Sequence, residues 1–180
     1  MKACFMGLGY IGLPTAIISA KNGIDVSGVD INPKVVEMTN REKIHIVEPA
    51  LQELCAEVVA NGKLKAYTQP VVSDANFIVV PTPFKGNHEP DISYVESATK
   101  MVIPLLKEGD LFVIESTSPV GTTDKMTSLI FAESPELKGK IYIAYCPERV
   151  LPGNVVYELV NNDRVIGGIN PESTEKAIGF

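Results

Sequence analysis

Cysteine is scarce in this chain: three in 180 residues, at Cys4, Cys55 and Cys146. The number is odd, the spacing is wide and no Cys-x-x-Cys pair occurs. Neither a disulfide framework nor a thiolate zinc site is indicated, and a reducing, cytoplasmic compartment is expected. Histidine is scarcer still. His45 and His88 stand far apart without ligand spacing, so no metal site is assigned. Positive charge is also short, with 16 Lys and Arg against 22 Asp and Glu, a net charge of −6 and no basic cluster. That balance argues against nucleic-acid binding. A long uninterrupted apolar run is missing as well. The stretch behind Lys2 could pass for a signal peptide or a membrane span, but Gly7, Gly9, Gly12, Pro14 and Thr15 break it. A strand–turn–helix reading accounts for all five, and the membrane reading is rejected. There is no short-period repeat and no low-complexity linker. A chain of this length, 45% apolar and 21% charged, is one large domain or a domain with an appendage.

What is present begins almost at once. Gly7-Leu8-Gly9-Tyr10-Ile11-Gly12 follows the apolar run Ala3-Cys4-Phe5-Met6 and precedes a helical stretch at 13–21. A Gly-x-Gly-x-x-Gly string is weak evidence alone, and strong evidence between a strand and a helix. The first glycine permits the tight turn, the second lets backbone approach a pyrophosphate, and the third lets helix pack on strand. The helix N-terminus then offers N–H groups to phosphate. Asp30 closes a second apolar run at 24–29, where the fingerprint expects an acid for a ribose 2′-hydroxyl. Ile31 and Asn32 follow it, and no arginine stands there to receive a 2′-phosphate. NAD is therefore favoured over NADP, and over FAD, whose sites share the fingerprint. The alternative for Asp30 is a turn acid that caps the next helix.

Strand-like and helix-like segments alternate to the end. Helices are expected at 33–41, 48–60, 93–106 and near 123–132; strands at 64–67 (an edge), 77–80, 111–114, 141–144 and 165–169. This order implies an α/β fold, a parallel, doubly wound Rossmann-like sheet. A further helix starts near 171–180, expected to bury Ala177, Ile178 and Phe180. The chain stops before that helix would be complete, so residues 1–180 are expected to be the NAD-binding front domain of a longer protein.

Ligands in such sheets lie at the carboxyl ends of strands. Four loops fall there: 7–12, 81–83, 115–121 and 146–153. Thr117 is placed to hydrogen-bond a substrate, a water or the nicotinamide; a capping or loop-bracing hydroxyl is the alternative. Glu148 is suited to act as a general base or to position water, against the alternative of a solvated loop acid paired with Arg149. Cys146, small and flanked by apolar residues, reads as buried and inert. Lys85 and His88 read as solvent-facing.

Several segments together resemble the UDP-glucose/GDP-mannose dehydrogenase family, the nucleotide-sugar 6-dehydrogenases. They are the Gly7–Gly12 string with Leu13-Pro14, Glu48-Pro49-Ala50-Leu51, Val80-Pro81-Thr82-Pro83, Ser116-Thr117-Ser118-Pro119-Val120-Gly121 and Pro147-Glu148-Arg149-Val150-Leu151-Pro152-Gly153. The stretches His45-Ile46-Val47, Pro83-Phe84-Lys85-Gly86 and Asn162-Asp163-Arg164-Val165-Ile166-Gly167-Gly168 are most similar to the branch acting on UDP-N-acetylmannosamine. The resemblance implies oxidation of a UDP-sugar C6 alcohol to a carboxylate in two NAD-dependent steps, through a thiohemiacetal and a thioester on a cysteine. It implies cofactor contacts from Gly7, Gly9, Tyr10, Ile11, Gly12, Asp30, Pro81, Thr82 and Thr117. It also implies catalytic roles for Thr117 and Glu148, and substrate contacts from Glu148, Arg149, Val150, Leu151 and Pro152. The family's cysteine and lysine would follow residue 180, in central and carboxyl-terminal substrate domains, and the whole protein would be a homo-oligomer. Two alternatives remain: a β-hydroxyacid or 6-phosphogluconate-type dehydrogenase domain, and a non-catalytic NAD-sensing module.

Overall fold

A computed structural model describes residues 1–151 and 153–180. Seven strands form one sheet: β1 (Lys2–Met6), β2 (Asp25–Val29), β3 (Leu64–Tyr67), β4 (Ala75–Ile78), β5 (Leu111–Ile114), β6 (Tyr142–Tyr145) and β7 (Gly167–Gly168). Their order is β3-β2-β1-β4-β5-β6-β7, and all neighbours are parallel except β6 and β7. The chain winds outward from β1 to β3, then returns to place β4 on the other side of β1. The crevice between β1 and β4 is the switch point where such sheets bind ligands.

Strand residues alternate between two apolar layers, because successive side chains point to opposite faces. Ala3, Phe5, Val26, Phe77 and Val113 pack under α1 (Gly12–Lys21) and α3 (Leu51–Ala60). Cys4, Met6, Ile78, Phe112 and Ile114 pack under α4 (Ser93–Val102) and α5 (Thr122–Glu133). Phe5 stacks on Phe77 with ring centres 4.6 Å apart, and Phe180 lies against the same ring at 4.6 Å. The short α2 (Pro33–Asn40) completes the β2–β3 crossover.

The expected doubly wound α/β fold is present, with local differences. The strand expected at 77–80 runs over Ala75–Ile78, where the ladder with β1 lies, although the Val79 N–H still donates to the Met6 carbonyl. The strand expected at 165–169 contracts to Gly167–Gly168 and is antiparallel. At Gly168 a Cβ would meet the Thr174 nitrogen at 2.4 Å, so α7 (Pro171–Ile178) packs directly on that backbone. Ala177 and Phe180 are partly buried there, but Ile178 is exposed. Ser173 instead is buried, its Oγ accepting from the Ile143 N–H at 3.2 Å. A helix not expected from sequence, α6 (Val155–Asn161), follows the 146–153 loop.

Candidate functional site

The glycine loop sits where β1 ends against β4. Gly7 has φ +104°, and a Cβ there would lie 2.3 Å from the Val79 carbonyl oxygen. A Cβ on Gly12 would lie 1.9 Å from the Gly7 oxygen. The fold itself therefore requires both glycines. Gly9 differs: a Cβ there would meet nothing within 4 Å among the described residues, so none of them demands its absence. Among the described residues no side chain caps the N-terminus of α1. An open backbone surface at an uncapped helix start fits a pyrophosphate.

Asp30 follows β2. Its Oδ2 accepts from the Leu8 N–H at 3.1 Å and its Oδ1 from the Asn32 N–H at 2.8 Å. The cap of α2 is Asn32, whose side chain accepts from Lys34, so Asp30 braces the glycine loop rather than capping the helix. An ionised carboxylate has about four acceptor positions, and two remain open here. Asp30 borders an apolar cleft of about 250 Å³, lined also by Ile31, Pro81, Tyr94, Ala98 and Met101. Tyr94 and Met101, not expected here from sequence, stand in the first and last turns of α4, where each reads as an ordinary helix position.

Across the loop lies a second cleft of about 280 Å³, bordered by Tyr10, Ile11, Pro81, Thr82, Thr117 and Glu148. These expected site residues are thus brought together. Ser116 Oγ accepts from the Val80 N–H at 2.9 Å and ties β5's end to β4's. Thr82 Oγ1 donates to the Thr117 carbonyl at 2.7 Å, holding that backbone while the Thr117 side chain stays exposed. Gly121 occupies the N-cap position of α5, so Thr117 is not a helix cap. Tyr10 donates to the Val47 carbonyl at 3.0 Å.

Glu148 is held by a residue the sequence reading did not single out. Its Oε2 accepts from Arg164 Nη2 at 2.6 Å, while Arg164 Nη1 reaches Glu115 Oε1 at 3.0 Å and Cys146 Sγ at 3.7 Å. Arg149, the expected partner, gives Glu148 only its backbone N–H, and its guanidinium donates to the Asp163 carbonyl. The side chains of Glu148 and Glu115 are 8% and 2% exposed, so one guanidinium serves two nearly buried carboxylates. Burial pushes the Glu115 carboxyl from 4.5 up to about 7, against the opposing pull of Arg164. The Cys146 thiol is raised, again mainly by burial. Burial pushes Cys4 and Cys55 to about 11, which leaves all three cysteines poor nucleophiles at neutral pH.

Glu48 is a second correction. Rather than opening a helix, it is buried, and its carboxylate accepts from the N–H groups of Gly153 at 2.9 Å and Val155 at 2.6 Å. The loop carrying Arg149, Val150 and Leu151 is anchored through these bonds; Pro152 lies outside the described residues. Arg149 and Leu151 are exposed and Val150 is half-buried. Among the described residues no group of three His, Cys, Asp or Glu is placed to hold a metal, and no helix is long and apolar enough to cross a membrane.

Glu115 gives a stability test. Folded protein keeps its proton to about pH 7, unfolded chain only to about 4.5, so between those values the folded state binds more protons. Stability conferred by this group falls as pH rises through that window. Denaturant titrations are expected to show wild type losing on the order of 1–3 kcal/mol relative to Glu115→Gln between pH 4.5 and 8. Parallel pH profiles for the two proteins would show that folding leaves the Glu115 carboxyl at its ordinary value.

The sequence profile described as UDP-glucose/GDP-mannose dehydrogenase family, NAD binding domain, matches residues 1–179. The chain belongs to this family, as its NAD-binding domain. It is 53% identical to the UDP-N-acetyl-D-mannosamine dehydrogenase of Campylobacter jejuni, over 98% of this chain and 46% of that protein. Among solved structures, the UDP-N-acetyl-mannosamine dehydrogenase of S. aureus superimposes with a TM-score of 0.92 at 42% identity, over 98% of this chain and 43% of that one. The chain thus spans less than half the length of either relative. A 3-hydroxyisobutyrate dehydrogenase from Salmonella typhimurium, at 16% identity and a TM-score of 0.64 over 99% of this chain and 51% of that one, shares the fold alone.

Proposed function

We propose that this chain supplies the NAD site and about half of the catalytic site of a nucleotide-sugar 6-dehydrogenase acting on UDP-N-acetylmannosamine. The observation that carries this reading is the placement of two clefts along the glycine loop, one bordered by Gly7 and the other by Gly9, with Val80 and Pro81 common to both. One is almost wholly apolar and borders Asp30; the other carries more polar groups and borders Thr117 and Glu148. Adenosine fits the first, with Asp30's open acceptor positions for the ribose hydroxyls. Gly9 and the uncapped start of α1 would hold the pyrophosphate, and the second cleft would hold the nicotinamide. NAD bound there would supply the hydride acceptor for oxidation of the sugar C6 alcohol.

The residues of this chain orient and exchange protons around that transfer. Glu148, fixed by Arg164, accepts a proton from the attacking water. The Thr117 hydroxyl, on a backbone braced by Thr82, places a water beside the ring. The loop with Arg149, Val150 and Leu151, anchored through Glu48, meets the nucleotide sugar. The covalent step implied by the family resemblance needs a reactive thiolate. The raised Cys4, Cys55 and Cys146 thiols do not supply one, so that step belongs to residues outside this chain. Identity of 53% to a protein named for UDP-N-acetyl-D-mannosamine supports the choice of sugar.

The cofactor half is tested on this chain directly. Calorimetric titration is expected to show NAD binding well and NADP poorly, because Asp30 repels a 2′-phosphate. Asp30→Ala is expected to weaken NAD and to narrow the gap, with circular dichroism checking that the fold survives loss of the Leu8 bond. Equal affinity of the unmodified chain for both cofactors would remove Asp30 from the ribose site.

A further inference from the structure

Glu115 borders two clefts. One is the Tyr10–Glu148 cleft already described; the other, of about 320 Å³, is lined by Thr15, Ser19, Phe77, Cys146, Arg164 and Phe180. Its Oε1 pairs with Arg164, but its Oε2 is buried with no hydrogen-bond partner among the described residues. A buried carboxylate oxygen without a partner is costly, and its retention beside a ligand cleft calls for an explanation. The charged and titratable groups facing it are Arg164, ahead of β7, and Glu148 and Cys146, after β6, with Tyr10 across the first cleft. From α1, α6 and α7, only uncharged residues line these clefts. With both carboxylates ionised, this buried group carries one negative charge in excess.

We propose that Glu115 distinguishes oxidised from reduced cofactor, its unpartnered oxygen serving as the counter-charge for the positive nicotinamide ring of NAD+. The inference rests on the reading that the ring enters the Tyr10–Glu148 cleft. Without cofactor, Glu115 holds a proton part of the time near neutral pH, and the cluster is then neutral. When the nicotinamide cation arrives, the ionised carboxylate is favoured and its proton passes to solvent. The dihydronicotinamide of NADH is uncharged and draws no such release. Reduced cofactor is accordingly held less well as pH rises, relative to oxidised, which favours its departure after hydride transfer.

The test is calorimetric titration of this chain with NAD+ and with NADH, in phosphate and in Tris buffers, whose differing ionisation enthalpies report protons exchanged. At pH 7, NAD+ is expected to release up to about half a proton, since Glu115 is then about half ionised, and NADH close to none. The preference for NAD+ over NADH is expected to rise between pH 6 and 8. In Glu115→Gln the release disappears, the preference no longer varies with pH, and at pH 8 it is roughly three- to tenfold smaller, the scale of one partly screened unit charge. The wild-type measurements stand even if the variant folds poorly. NAD+ binding without proton release, or an unchanged preference in Glu115→Gln, overturns the proposal alone. Failure of NAD+ to bind at all overturns the cofactor reading with it.

Discussion

Glu148→Gln in the full-length enzyme is expected to lower kcat by roughly 10²–10⁴-fold, the range that a positioned general base contributes, with a KM change of threefold or less. The glutamine is isosteric. Its single carbonyl oxygen can keep the bond from Arg164, while the Arg149 N–H then faces the amide NH2 and loses its acceptor; the loop stays anchored through the two bonds to Glu48. What is lost is the capacity to take a proton from water. An interaction needed only in the transition state lowers turnover without weakening binding. If hydrolysis of the enzyme-bound thioester is the affected step, the acyl-enzyme should accumulate and be visible by mass spectrometry of the stopped reaction. Thr117→Ala is expected to have a smaller effect, because a water can occupy the position of its hydroxyl. Normal turnover by Glu148→Gln would reduce the Glu148–Arg164 pair to a brace for the loop.

The parts of this site legible in the sequence were those fixed by local backbone demands. Gly7 and Gly12 stand where any side chain would strike backbone within 2.3 Å, and Asp30, just past β2, accepts from the Leu8 N–H between them. Such requirements leave a fixed spacing, and spacing can be read. The partners of Glu148 and Glu48 leave none. Arg164 lies 16 residues from Glu148 and 49 from Glu115, and Glu48 lies 105 residues from Gly153. None of the three separations leaves a local pattern, so only the folded arrangement brings these partners together. The adjacent Arg149 was the natural partner to assign, yet neighbours on an extended loop point away from each other. Helix α6 escaped for a different reason. It has seven residues, of which only Val155 is buried, too few for an apolar period to emerge. In α7 the period misled, because the helix docks through buried Ser173 and leaves Ile178 exposed.

Substitution of the three glycines separates the requirements of the fold from those of the ligand. Gly12→Ala places a methyl group 1.9 Å from the Gly7 oxygen and 3.0 Å from its carbonyl carbon, with Val79 Cβ at 3.3 Å. Helix α1 must then shift from its strand, and overpacking of this kind costs roughly 1–3 kcal/mol or more. Gly12→Ala is expected to lower Tm and, by displacing the helix start, to abolish detectable NAD binding. Gly7→Ala should be worse, since its φ of +104° adds backbone strain to a 2.3 Å clash. Gly9→Ala has neither fault: its Cβ meets nothing within 4 Å and its φ is not among the positive ones. Its Tm should match wild type within a degree or two. NAD affinity should nevertheless fall by roughly tenfold or more, because the methyl group occupies the surface that a pyrophosphate must approach. Thermal unfolding beside calorimetric titration for the three variants supplies the comparison. Loss of binding in Gly12→Ala alone is explained by damage to the fold. Loss in Gly9→Ala, with stability retained, has no explanation except a ligand lying against that backbone, and full NAD affinity in Gly9→Ala would place the pyrophosphate elsewhere.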